Sequence, residues 1–314
     1  MMTRRDFFIC VAGAGVLVVA RRASAAEAMF VSLNGALVAG KNVGWPAIAR
    51  LAAQVGYAGV DWSLEPAEAA GLEVTKALFA ELKIKPAIAN LPMARPLPFG
   101  GEPAAFQDAL AKLADHAAFS AAVGCKTMMV VLPASGPLPK DEYRKIVRDR
   151  IAAVADVLRK SDVRLGLEFL GILQFRQGPA GAPSHPFIWT LPETAALAAD
   201  CGPNIGVILD AWHWHHSGGT TSEIAATDRS RIVHIHVSDA KPMAPEAVRD
   251  NMRLMPGEGI IDLVGFFRAL KTIGYTGGVS PEPLGRVPAD MSAEDAARLG
   301  LETTLAVMKK AGVA

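Results

Sequence analysis

The chain has 314 residues, 51% of them hydrophobic, with 32 basic side chains against 31 acidic ones and a formal net charge of +1. That length admits one large α/β core. A balanced charge without a basic block excludes a protein built to capture nucleic acid or lipid headgroups, so the expected partner is a small molecule.

The first segment does not read as part of a fold. Residues 1–28 carry Arg4 and Arg5 ahead of Phe7 and Phe8, an apolar run as far as Ala20, and an Ala23-Ser24-Ala25 cleavage pattern, which together indicate an export signal. The run is too short for a transmembrane helix, so no stable membrane anchor is expected. "TRRDFF", the glycines Gly13 and Gly15 in the apolar run, and Arg21-Arg22 behind it resemble a twin-arginine signal, which implies the export machinery as a partner and a periplasmic or otherwise exported protein. Removal of the segment takes Cys10 with it. Cys125 and Cys201 remain, too few for a disulfide framework, so stability must come from the core.

From Phe30 onward short apolar runs alternate with alanine- and leucine-rich helical stretches. Strands are predicted at 30–34, 59–62, 85–90, 126–133, 163–170, 204–211, 231–239 and 277–283, with helices near 45–55, 71–82, 103–123, 141–160, 192–201, 222–228, 262–273 and 292–311. Short apolar strands between helices are the pattern of parallel β/α units buried on both faces. Eight units predict a (β/α)8 TIM barrel occupying 29–314 as a single domain. Glycines in "QVGYAG", "AVGCKT" and "TIGYTG" mark helix ends. The longest irregular stretches, 91–102, 171–190 and 240–261, all follow strand C-terminal ends, where a barrel builds its active site.

Four ligating residues stand at the C-terminal ends of late strands: Glu168 in "LGLEFL", Asp210 in "VILDAW", His236 in "HIHVSD" and Glu282 in "SPEPLG". A barrel gathers strand ends into one ring, and three carboxylates there repel one another unless a cation neutralises them. A divalent metal on three carboxylate oxygens and one imidazole is the economical reading, with manganese, magnesium, cobalt and zinc all compatible. His234 points to the same inward face one layer deeper and reads as a hydrogen-bonded interior histidine. Asp239 either orients a ligand or begins the following loop, while His215 and His216 read as exposed loop residues. Trp62 and Trp212 are candidates to stack on a sugar ring at the mouth. "PGEGIIDL" lacks the context of a phosphate loop and reads as a turn into a helix beginning near Asp262.

In combination, "AQVGYAGVDW", "GLEFLG", "VILDAWHWHHSGG", "HIHVSDA", "MRLMPGEGIIDL" and "SPEP" resemble the xylose isomerase-like TIM barrels, the sugar phosphate isomerase/epimerase family, over 30–312. The resemblance implies the same Glu168, Asp210, His236 and Glu282 metal set. It further implies that His213 and Arg253 bind substrate oxygens and that Glu168 and Glu282 form an acid/base pair on opposite faces of the substrate. The chemistry expected is proton transfer through an enediolate, giving an isomerase or epimerase of a small sugar or related keto or polyol compound. A lyase or dehydratase eliminating β to a carbonyl begins with the same step and is the alternative, and a non-catalytic periplasmic sugar-binding protein is the alternative of another class. A DNA-repair endonuclease of the same superfamily fits less well, because it needs several metals and a basic surface. Association into a homo-oligomer is left open.

Overall fold

The computed structural model describes residues 28–178 and 184–314. The expected export signal therefore lies outside the described residues, apart from Ala28. Eight parallel strands close into a barrel: β1 (Phe30–Leu33), β2 (Gly59–Trp62), β3 (Lys85–Asn90), β4 (Thr127–Val131), β5 (Arg164–Glu168), β6 (Ile205–Asp210), β7 (Ile232–Val237) and β8 (Gly278–Pro281). Each pairs with its neighbour in sequence, and β1 closes against β8 with Phe30 opposite Gly278 and Val31 opposite Val279. All eight lie where the apolar runs placed them. Gly59–Trp62 and Lys85–Asn90 end where predicted, and the other six end one or two residues earlier, because their C-terminal residues turn away into the loops of the functional face.

The apolar residues form two layers. A large cluster lies between the strands and the surrounding helices, and a small one of Ile88, Ile208 and Val233, with Met129 against it, fills the barrel interior. Strand alternation requires this division, since successive side chains point to opposite faces. Helix ends follow the glycine signals: after Pro103–Val123 the chain turns through Gly124 at φ 102°, a conformation that costs a residue with a Cβ. Cys125 and Cys201 are free and buried. Among the described residues no helix is long and apolar enough to cross a membrane.

Three short helices were not legible in the periodicity. Leu64–Ala70 is interrupted in the sequence by Pro66, which a first helical turn tolerates. Leu173–Arg176 is a single turn in the loop after β5. Ala211–His216 directly continues the apolar run of β6, and its aromatic and histidine side chains are weak helix formers. Asp210 makes the switch from strand to helix: its Oδ1 accepts the Trp212 N–H at 2.9 Å and caps the new helix. His215 and His216 are thus half-buried helix residues rather than exposed loop residues, with the His216 ring 4.4 Å from that of Trp212.

Candidate active site

The barrel mouth encloses a cavity of about 300 Å³ whose walls include Asn34, Asp61, Trp62, Asn90, Glu168, His236 and Glu282. Its chemical centre is His236, 1% exposed on β7. Its Nδ1 lies 2.8 Å from Glu168 Oε1 at the end of β5 and 3.5 Å from Glu282 Oε2 just past β8. One ligand atom from each of these three residues lies within 4.8 Å of the other two. Barrel closure makes this meeting inevitable: Asp210 is level with His236, and His236 is level with Ser280, in neighbouring strand registers.

Asp210 is not one of the three. It is fully buried, and its Oδ2 accepts 2.8 Å from Arg253 Nη1, the same nitrogen that donates to Glu282 Oε2 at 3.0 Å. The guanidinium therefore stands between Asp210 and the Glu168–His236–Glu282 group. Arg253 also donates from Nη2 to Asp250 Oδ1 at 2.7 Å and lies 3.2 Å from His213 Nε2. It is 3% exposed and His213 is 1% exposed, and neither lines the cavity. Resemblance assigns these two to substrate, and here both lie behind the cavity wall. Arg253 spends its donors on Asp210, Asp250 and Glu282, and His213 packs against it.

Trp212 likewise lies behind the cavity wall. It is 1% exposed, with the Arg253 guanidinium 5.6 Å over its ring, so it supports the arginine rather than meeting a sugar. Trp62 does border the cavity, although its ring is packed against Trp45 and Phe79 at centroid distances of 5.8 Å each and is only 3% exposed. His234 is an interior residue, as its position in the strand predicted, with Nε2 2.7 Å from Ser280 Oγ. Asp239 organises the loop that carries Arg253. Its carboxylate accepts the backbone N–H groups of Ala240, Gly257 and Ile261, and its backbone pairs with Leu254. "PGEGII" is thereby wrapped around one buried acid, and the helix Leu263–Thr272 follows, capped by Asp262. At Gly171 a Cβ would overlap the His213 carbonyl oxygen, so only glycine lets the loop after β5 press on the Ala211–His216 helix.

Four polar wall residues escaped the sequence reading: Asn34, Asp61, Ser63 and Asn90. Each ends or directly follows an early strand, so the rule that marked Glu168 marks them too. In "GVDW" the tryptophan drew attention from the acid beside it.

The electrostatics are asymmetric. Burial pushes the Glu168 carboxyl upward, an effect that the neighbouring His236 only partly offsets and that Glu282 and Asp210 reinforce. Burial acts on Glu282 in the same sense, but His236 and Arg253 outweigh it and hold that carboxyl well below the ordinary range. For His236 burial favours the neutral ring, yet Glu282 and Glu168 hold the proton on it. Around the mouth Asp61, Glu168, Asp210, Asp250 and Glu282 face one guanidinium and one imidazole held in its charged form, His236, since burial favours the neutral ring of His213 and His234. The donor set therefore calls for further positive charge. Once His236 Nδ1 gives up that proton, it and the two carboxylate oxygens that converge on it suit a divalent cation, with Glu168, His236 and Glu282 to hold it.

Residues 39–309 match the family model described as xylose isomerase-like TIM barrel. The chain belongs to that family. Among curated xylose isomerase-like and related proteins, it is 27% identical over 195 residues to inosose isomerase of Bacillus subtilis (strain 168), covering 59% of this chain and 66% of the relative, just under two thirds of its length. It is 32% identical over 82 residues to 3-dehydroshikimate dehydratase of Pseudomonas putida, covering 26% of this chain and 13% of the relative. Among solved structures, a xylose isomerase domain protein from Alicyclobacillus acidocaldarius superposes with a TM-score of 0.80 at 29% identity, over 91% of this chain and 100% of that one. A zinc-bound structure of the IOLI protein shares the fold with a TM-score of 0.75 at 22% identity, over 90% of this chain and 99% of that one.

Proposed function

We propose that the chain is a divalent-metal-dependent isomerase or epimerase that moves a proton at the carbon next to a carbonyl in a keto-sugar or keto-polyol. The observation that carries this reading is the convergence of Glu168 and Glu282 on His236 Nδ1 at the wall of a closed-in cavity. A pair of carboxylates whose surroundings push them in opposite directions is an acid and a base. Glu282, held ionised, takes the proton from carbon, and Glu168, whose neutral form burial favours, returns one. When bound, a divalent cation supplies positive charge to the substrate oxygen that becomes anionic as the carbon loses its proton. Arg253 keeps Glu282 aligned and charged, while Asn34 and Asn90 offer hydrogen bonds to hydroxyl groups within the cavity. The inosose isomerase relatives support a keto-polyol as the substrate class.

The match to 3-dehydroshikimate dehydratase favours a second reading, in which the same carbanion expels a β-hydroxyl as water. Incubation of the protein with Mn²⁺ and a panel of keto-inositols, ketoses and 3-keto-glycosides in D2O, followed by NMR, separates the two. Deuterium at carbon in a rearranged or epimerised product is the expected result. Loss of water or of an aglycone supports elimination, and absence of both exchange and metal binding sinks the enzyme reading.

We also propose that residues 1–28 direct twin-arginine export and that 29–314 is the exported barrel. The motif "TRRDFF" supports this. Replacing Arg4 and Arg5 together by lysine is expected to leave the full-length chain in the cytoplasmic fraction, where the wild type reaches the periplasm. Unchanged periplasmic recovery of the variant would overturn the assignment.

A further inference from the structure

Beside the candidate metal ligands runs a chain of polar side chains, of which the function above assigns a part to Asn34 alone. Asp61, at the end of β2, accepts from Ser32 Oγ at 2.7 Å and Ser280 Oγ at 2.9 Å on Oδ1, and from Asn34 Nδ2 at 3.0 Å on Oδ2. The Ser280 hydroxyl has one proton and gives it to Asp61, so it must accept from His234 Nε2, 2.7 Å away. His234 is thereby fixed with its proton on Nε2. The chain crosses the neighbouring strands β7, β8, β1 and β2, and so spans the seam where the barrel closes.

Every hydrogen bond to Asp61 comes from a neutral donor. A carboxylate largely withdrawn from solvent, its side chain 13% exposed, is costly without a cationic or strongly polarised partner, and the cationic group that bears on it is His236. One oxygen of Asp61 and one ring nitrogen each of His234 and His236 lie within 4.8 Å of one another. His236 has committed Nδ1 to Glu168 and Glu282, and its Nε2 is buried with no hydrogen-bond partner. Burial pushes Asp61 up to about 6, and His236, Ser32, Ser280 and Asn34 oppose that rise.

We propose that Asp61 is a positioning residue for His236: it receives the Nε2–H, directly or through one water, and so fixes the tautomer that leaves Nδ1 bare for the cation. Histidines that ligate metals characteristically donate their second N–H to a carboxylate, and loss of that partner costs about 10- to 100-fold in metal affinity. Ser32, Asn34, Ser280 and His234 hold Asp61 in place from strands on either side. The proposal rests on the cation site assigned to Glu168, His236 and Glu282 above.

The test uses the Zn²⁺-loaded full chain labelled with 15N at histidine. In the wild type, NMR is expected to show His236 protonated on Nε2 with slow solvent exchange, and Nδ1 without a proton. Asp61→Asn keeps an oxygen for Ser32 and Ser280 but removes the charge. It is expected to weaken Zn²⁺ and Mn²⁺ binding by about 10- to 100-fold and to speed Nε2–H exchange. Ser280→Ala cuts the seam but keeps the carboxylate, and is expected to bind metal within about twofold of wild type. Wild-type protein carrying the proton on Nδ1 overturns the proposal, whether or not Asp61→Asn folds. Metal affinity in Asp61→Asn equal to wild type overturns it as well. Wild-type protein that binds neither ion overturns the cation site itself and this proposal with it.

Discussion

Glu282→Gln is expected to lower kcat by about 10³-fold or more, the scale of a removed general acid or base, while the barrel stays folded. The amide keeps the shape of the side chain but cannot accept a proton from carbon, and it is a poor ligand for a hard cation. Folding should tolerate the change, because Arg253 retains Asp210 and Asp250, and His236 retains Glu168. The side chain is 17% exposed, so the amide is not sealed into an apolar interior. The assay is steady-state turnover of whichever ketose or keto-polyol exchanges deuterium, alongside circular dichroism. A variant within tenfold of wild-type kcat would show that the proton is taken elsewhere. Glu168 would then be the next residue to test, since it has a single close partner, His236 Nδ1.

The second large effect is on stability. Arg253→Met is expected to lower the unfolding free energy by about 3–5 kcal/mol in the presence of a chelator, because it strips the partner from Asp210, which water cannot reach, as well as from the partly exposed Glu282 and Asp250. Asp210 is fully buried and accepts hydrogen bonds from Arg253 and the Trp212 amide. Several millimolar Mn²⁺ is expected to recover part of the loss, since a ligand that binds only the folded state stabilises it by mass action. Arg253→Lys should fall between the two: it keeps the charge but not the planar fork that reaches Asp210, Glu282 and Asp250 together. Urea denaturation with chelator and with Mn²⁺ measures all three. An Arg253→Met variant as stable as wild type in chelator would mean that the acids are neutral without the arginine, against the charge balance drawn for the mouth.

Both expectations show how differently two residue types could be read beforehand. Glu168 and Glu282 announced themselves as acids at the ends of apolar strands, and they meet at His236. Resemblance assigns Arg253 and His213 to substrate, and only the folded chain shows both packed among the carboxylates behind the cavity wall. An arginine in a long loop has no periodicity to say which way it faces. Its orientation is decided by Asp239, which gathers the amides of Ala240, Gly257 and Ile261 and so folds the loop over the barrel mouth. Trp212 and the histidines after it were obscured for a related reason: the helix Ala211–His216 begins inside what reads as a strand, and only the cap made by Asp210 reveals the change.

The amino-acid sequence by itself determined the eight β/α units, the helix stops and the end of the barrel on which chemistry could occur, because apolar period and glycine placement act over a few residues. Only the tertiary structure decided which strand-end groups share a centre. Closure of β1 on β8 brings Asp61 of the second strand beside His236 of the seventh, and packing puts Arg253 between Asp210 and Glu282. Those neighbours are far apart in the chain, and what joins them is the burial of charge, which must find partners wherever the fold supplies them.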